Sequence, residues 1–206
     1  MIDLNFLSYE FMRNALLAGL AAAALCGIIG IYVILIRIVF ISDGIAHAAF
    51  GGIGLGYFLG YDPLAFGIGS AVLTAIGIGL TSSRARVSED TAIGVFMATG
   101  MALGIMLLTL SQGYARDLYG YLFGNILAVT ESDVLLILIL TSVILALVFL
   151  FYKELLLLSF DPSYAQAIGL PVSGLRLMLL AMVAFSVVVL IKVVGIIMVI
   201  ALLTIP

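Results

Sequence analysis

Four uncharged, largely apolar runs, residues 14–36, 63–83, 91–115 and 134–152, constrain this chain more than anything else in it. About 20 residues at 1.5 Å each cross the ~30 Å hydrocarbon core of a bilayer, so each run is long enough to span one. Inside lipid the backbone has no water to bond with, and a single segment satisfies its own N–H and C=O groups only as a helix. Only 9% of the residues are charged and 65% are hydrophobic, which leaves a soluble fold too little polar surface. The sequence therefore predicts an all-α, polytopic helical membrane protein. Asp3 and Glu10 precede Arg13, unlike the basic start of a cleaved signal peptide, so the first run is expected to be retained as a span. Cys26 is the only cysteine, which excludes an intramolecular disulfide and a cysteine-rich zinc site.

About seven spans are expected, at 14–36, 43–60, 63–81, 91–110, 133–152, 175–191 and 193–206, within one transmembrane domain, 1–206. The 13 uncharged residues 118–130 are too few to cross and predict a short re-entrant or interfacial segment. Basic residues set the orientation. With the N-terminus outside, Arg37, Arg84, Arg86, Lys153 and Arg176 lie on the cytoplasmic side, while Arg13, Arg116 and Lys192 fall outside or within the bundle. Lys192, between two apolar runs, reads as a snorkelling or paired residue, with a gating role as the alternative.

Against this background "ISDGIAHAAF" (41–50) stands out. Asp43 and the single histidine, His47, are four apart and share a helix face. Ionisable residues inside a membrane segment usually face a bundle interior or an aqueous path. Carboxylate and imidazole together suit divalent transition metals, and a structural hydrogen bond between the two is the alternative. Two ligands do not complete a site, so waters, backbone carbonyls or a second subunit would supply the others. Ala48, Gly52, Gly56 and Gly60 make a small-residue stripe on the same span, and Gly100 and Gly104 repeat the spacing on another. Such stripes admit close helix packing in lipid.

"SFDPSYAQAIGLPVSGL" (159–175) reads as a short capped helix between two spans. Asp161 is placed to cap it, Pro162 suits its first position, and Gly169 and Pro171 end it. The chain contains no G-x-x-x-x-G-K-[ST] phosphate loop, no nucleophile–base constellation and no basic patch for nucleic acid. It is not expected to be an enzyme.

"FISDGIAHAAFGGIGLGYFLG" (40–60) resembles the signature of permease subunits of metal-type ABC importers, the zinc, manganese and iron family. "EDTAIGVFMATGMALGI" (89–105), "YLFGNILAVT" (121–130) and "KVVGIIMVIALLTIP" (192–206) extend the likeness in order over most of the chain. Gly51 departs from the pattern, since many relatives have proline there. Related permeases continue beyond the last motif through at least one more span, which implies a chain cut short at Pro206. The resemblance implies a homodimer in a prokaryotic cell membrane, served by an extracytoplasmic metal-binding protein and by separate ABC-type ATPase subunits at the cytoplasmic face. It implies that Asp43 and His47 ligate the passing ion, which is cargo; no cofactor is permanently bound. It further implies that segment 161–171, with Asp161, Ala165, Gly169, Leu170 and Pro171, is the coupling helix that docks on the ATPase. Two competitors are a self-contained secondary cation transporter and the permease of a siderophore or cobalamin importer. No inverted repeat supports the first, and a bulky chelate needs no carboxylate–imidazole pair.

The charge asymmetry makes a topological prediction. Single cysteines at Ser83, Asp62 and Ser163, in a Cys26→Ala background, are treated with an impermeant maleimide in intact cells. Only the Asp62 position should label; labelling at Ser83 with protection at Asp62 would invert the orientation.

Overall fold

The computed structural model describes residues 9–85, 87–111 and 118–205. Expectations that rest on Asp3, Arg86, Arg116 and Pro206, or on the side chain of Arg84, lie outside the described residues. Every element among those described is helical. The order is α1 (Glu10–Leu35), α2 (Phe40–Leu59), α3 (Pro63–Ala85), α4 (Glu89–Leu110), α5 (Leu118–Phe123), α6 (Glu131–Leu150), α7 (Tyr152–Phe160), α8 (Pro162–Ala167) and α9 (Val172–Thr204), with a 3-10 turn, Ile126–Ala128, before α6.

Helix ends follow local chemistry. The Asp62 carboxylate accepts from the backbone N–H groups of Leu64 and Ala65, both at 3.3 Å, and Pro63 opens α3. Ser88 accepts from Thr91 N–H at the start of α4. Thr130 and Asp133 form a reciprocal capping box on α6. Each device satisfies a backbone donor that the first turn leaves without an intrahelical partner.

Among the described residues five helices are long and apolar enough to cross a bilayer: α1, α3 over Pro63–Ser82, α4, α6 and α9. This makes the chain a multi-pass helical membrane protein. Helix α2 is not among the five, because Asp43, His47 and its glycines dilute its apolar character. The expected count of seven is not reached. The two spans anticipated at 175–191 and 193–206, parted at Lys192, correspond among the described residues to α9 (Val172–Thr204), a run of two helical segments meeting at a kink. Its regularity breaks at Gly195 (φ 81, ψ 162), a conformation that glycine adopts without steric cost. Lys192 stays helical, three residues before the break.

The core surrounds α2. Ile41, Ile45, Ala46, Ala49, Phe50 and Ile53 are buried, packed with residues of α1, α3, α4 and α9. The anticipated stripe divides between two neighbours, Ala48 meeting Gly100 of α4 and Gly52 and Gly56 meeting α3, and glycines outside it add to the α4 side. Gly52 and Gly56 lie against Phe66, Ser70 and Pro63 of α3, whereas Gly51 and Gly54 lie against α4. A Cβ placed on Gly51 or Gly54 would sit 2.7 Å from the carbonyl oxygen of Gly100 or Gly104, respectively, so these backbones touch directly. Gly44 of α2 meets Ile93 of α4 and Gly54 meets Gly104, which fixes α2 and α4 as parallel. Gly60, with φ 74, ends α2.

The ends of the bundle are segregated. Arg13 pairs with Glu131, at the starts of α1 and α6, across 3.2 Å. Arg176 pairs with Glu89, near the starts of α9 and α4, at the other end. The turn before α2, the turn before α4 and the α7–α8 segment thus share one end, and Tyr61 and Asp62 lie at the opposite end. That grouping is the one the basic residues anticipated. Segment 118–130 is short, as expected: α5 and the 3-10 turn, with Gly124 pressed on the backbone of Val194 and Gly195.

Backbone-to-backbone packing is testable at Gly100, where an added Cβ would fall 2.5 Å from Ala48 Cα. Gly100→Leu is expected to cost about 1–3 kcal/mol or more through overpacking. Gly69, with nothing within 4 Å of an added Cβ, is the control. Thermal unfolding in detergent should be shifted down by Gly100→Leu and left unchanged by Gly69→Leu.

Candidate metal site and coupling segment

Along the first half of α2, most side chains are buried. Asp43, His47 and Gly51 are partly open and Leu55 is exposed, a stripe at four-residue spacing beside α4. Both chemically active side chains of the helix therefore emerge on the one side the bundle leaves accessible. The Asp43 and His47 side chains are 28% and 25% exposed, respectively.

The two residues touch. Nδ1 of His47 is 2.9 Å from Asp43 Oδ1 and 3.0 Å from the Asp43 backbone carbonyl oxygen. Both neighbours are acceptors, so Nδ1 carries the proton and donates it to them. Nε2 then keeps its lone pair, and it has no hydrogen-bond partner among the described residues. A carboxylate on one imidazole nitrogen fixes the tautomer and ring angle and makes the other nitrogen a better ligand. The two sequence alternatives, hydrogen bond and metal ligand, are thus compatible in one geometry. Among the described residues no group of three or more His, Cys, Asp or Glu side chains converges, so the pair stands as a partial donor set.

The second candidate region is α8. Asp161 accepts from Tyr164 N–H at 2.9 Å and Pro162 occupies the first helical position, as anticipated. Gly169, with φ 88, follows the helix in the left-handed region, and Leu170 N–H reaches back to Ala165 O at 3.0 Å. This is the arrangement that satisfies the last carbonyls of a helix. Pro171 then caps α9 from outside. The expectation that Ala165 and Gly169 share a face open to a partner fails for Ala165, which is fully buried. In a helix of six residues the inward side is set by the neighbouring elements, and Ala165 is the small residue that lets α8 lie close. The outward residues are Tyr164 and Ile168, both more than half exposed, with Gly169 beside them.

The partners in three ion pairs escaped the sequence reading, Arg13–Glu131 being the first. Lys192 Nζ lies 2.5 Å from Oδ1 of Asp133, so of the readings open for Lys192 the paired one holds. Asp133 also accepts from the Thr130 N–H and hydroxyl, at 3.0 and 2.6 Å. The Arg176–Glu89 pair has a 2.7 Å contact. Their only sequence signal was the scarcity of charge, since an isolated charge in an apolar bundle needs a partner.

A multi-pass helical bundle that carries an accessible carboxylate–imidazole pair on a glycine-walled helix is compatible with a membrane-spanning transport subunit. The chain belongs to the ABC 3 transport family, whose description matches residues 8–206. Manganese transport system membrane protein MntC of Halalkalibacterium halodurans is 38% identical over 202 residues, covering 98% of this chain and 69% of the relative. Its namesake from Listeria monocytogenes is 37% identical over 205 residues, 98% of this chain and 72% of that one. PsaBC from Streptococcus pneumoniae, solved in complex with Fab, superposes with a TM-score of 0.83 at 33% identity, over 97% of this chain and 72% of that chain. The resemblance to permeases of metal-type ABC importers is borne out by these matches.

At Gly169 a side chain would meet nothing within 4 Å, so a substitution acts through the backbone. Gly169→Ala is expected to cost about 1–2 kcal/mol, the penalty for a non-glycine residue held in that region. Proteolysis of the 160–172 segment should accelerate, while the melting of the bundle changes little.

Proposed function

We propose that this chain is the permease subunit of an ATP-driven importer of divalent transition-metal ions, Zn2+, Mn2+ or Fe2+, working as a homodimer. The observation that carries the reading is the free Nε2 of His47, held in place by Asp43 on the open stripe of α2. Relatives named for manganese transport support a metal as the cargo. An ion released at the outer face passes His47 Nε2 and the free oxygen of Asp43. A second copy of the stripe, or water, supplies the remaining donors. Two protein ligands per chain hold an ion loosely, which suits a site that must also let go. ATP is hydrolysed on separate subunits docked at the α8 end, and their motion switches access from one side of the membrane to the other. Cargo recognition here is coordination chemistry, with ligand bonds formed and released as the ion passes and no covalent step on this chain.

Asp43→Ala and His47→Ala should leave insertion and folding intact, because neither side chain fills the core. Uptake of radioactive Mn2+ or Zn2+ at matched expression should drop about tenfold or more, as removing a ligand or its orienting partner typically does. Near-normal uptake by both variants would remove the site. Competition among the three ions in the same assay ranks the cargo.

A further inference from the structure

The coupling segment and the Asp43–His47 pair lie on different elements, yet one ion pair and one glycine contact connect them. Arg176 sits in α9 just after the α8 segment, and its Nη2 is 2.7 Å from Glu89 Oε2. Glu89 is the first residue of α4, and its side chain is only 12% exposed. Four residues on, and so on the same face of α4, is buried Ile93. The Ile93 side chain occupies the space that a Cβ on Gly44 would need, and Gly44 adjoins Asp43. Further along, Gly100 and Gly104 rest on the backbones of Ala48 and Phe50, both beyond His47, so that contacts with α4 lie on each side of His47. Helix α4 therefore cannot shift along or around its axis without carrying the metal-binding half of α2.

The ion pair at the head of this path is incomplete. A guanidinium engages a carboxylate best through two parallel N–H bonds. Here one terminal nitrogen makes the contact, and Arg176 Nε is buried with no hydrogen-bond partner among the described residues. A buried donor without an acceptor is costly, so this arrangement is not the best the two side chains can reach. An arrangement in which two nitrogens of the guanidinium engage Glu89 would satisfy that donor.

We propose that Glu89 and Arg176 are positioning residues that transmit movement of the α8 segment, through α4 and Ile93, to Asp43 and His47. The proposal rests on the importer reading above, and it adds the route by which ATPase motion reaches the ion. Neither residue touches the ion itself.

The test uses the permease reconstituted in liposomes with its ATPase subunits, with Mn2+ as the transported ion and the ratio of ions moved to ATP hydrolysed as the readout. The wild-type complex is measured first. If it binds no ATPase or moves no Mn2+, the importer reading fails and takes this proposal with it. Given an active wild type, Glu89→Gln and Arg176→Gln should still assemble with the ATPase, but the ratio should fall about fivefold, within the range single residues exert on coupling. The charge swap Glu89→Arg with Arg176→Glu should recover at least about half of the loss, since it restores attraction across the same gap. If the neutral variants fail to insert, Arg176→Lys replaces them; it keeps the charge but loses the planar fork, and should lower the ratio about twofold. An unchanged ratio in whichever variants fold, or a charge swap that assembles yet transports no better than the single variants, overturns the proposal.

Discussion

Everything in this bundle depends on how closely helix backbones approach α2. Lipid offers no hydrophobic drive for helices to associate, so van der Waals contact between backbones has to hold them. Gly51 and Gly54 meet Gly100 and Gly104 of α4 on one side, and Gly52 and Gly56 meet α3 on the other. Their combined effect is to seat a helix with a carboxylate and an imidazole inside an assembly otherwise made of leucine, isoleucine and valine. A wider seam filled by side chains would leave the Asp43–His47 stripe facing lipid, where charge is costly. Close packing is thus what makes a polar site affordable here.

The charged side chains obey the same logic at the ends of the bundle. Arg13–Glu131 is well exposed, and such pairs contribute about 0–1 kcal/mol. Lys192–Asp133 is more enclosed, and Asp133 already belongs to the capping box of α6. That carboxylate therefore serves a helix end and an ammonium group at once, tying the outer part of α9 to the start of α6. With so few charges, each ion pair fixes which helices are neighbours.

What was legible in the sequence was what depends on local chemistry. Uncharged length announced the helices, and Asp161 and Pro162 announced the start of α8. The Asp43–His47 spacing placed two donors on one face before any packing was known. Three things were not legible. The α9 break was assigned to Lys192 because a charge interrupts an apolar run, whereas the backbone turns at Gly195, where a positive φ is tolerated. Ala165 was assigned outward because a six-residue helix has no periodicity from which to read its buried side. The Arg176–Glu89 and Lys192–Asp133 partners are distant in sequence, and nothing local to either residue identifies the other.

The contact between Gly124 and Gly195 has a consequence for how the protein is made. Both glycines have positive φ, and each lies against the other's backbone, so neither tolerates a side chain. Helix α5 is six residues long, too short to be stable alone. The surface that receives it is the broken turn of α9, which leaves the ribosome much later. Until α9 is inserted, α5 lacks the surface that receives it, whereas Ile126 and Val129, further along the segment, already have partners in α1. The seating of α5 therefore follows the insertion of α9, whereas the 3-10 turn can pack on α1 beforehand.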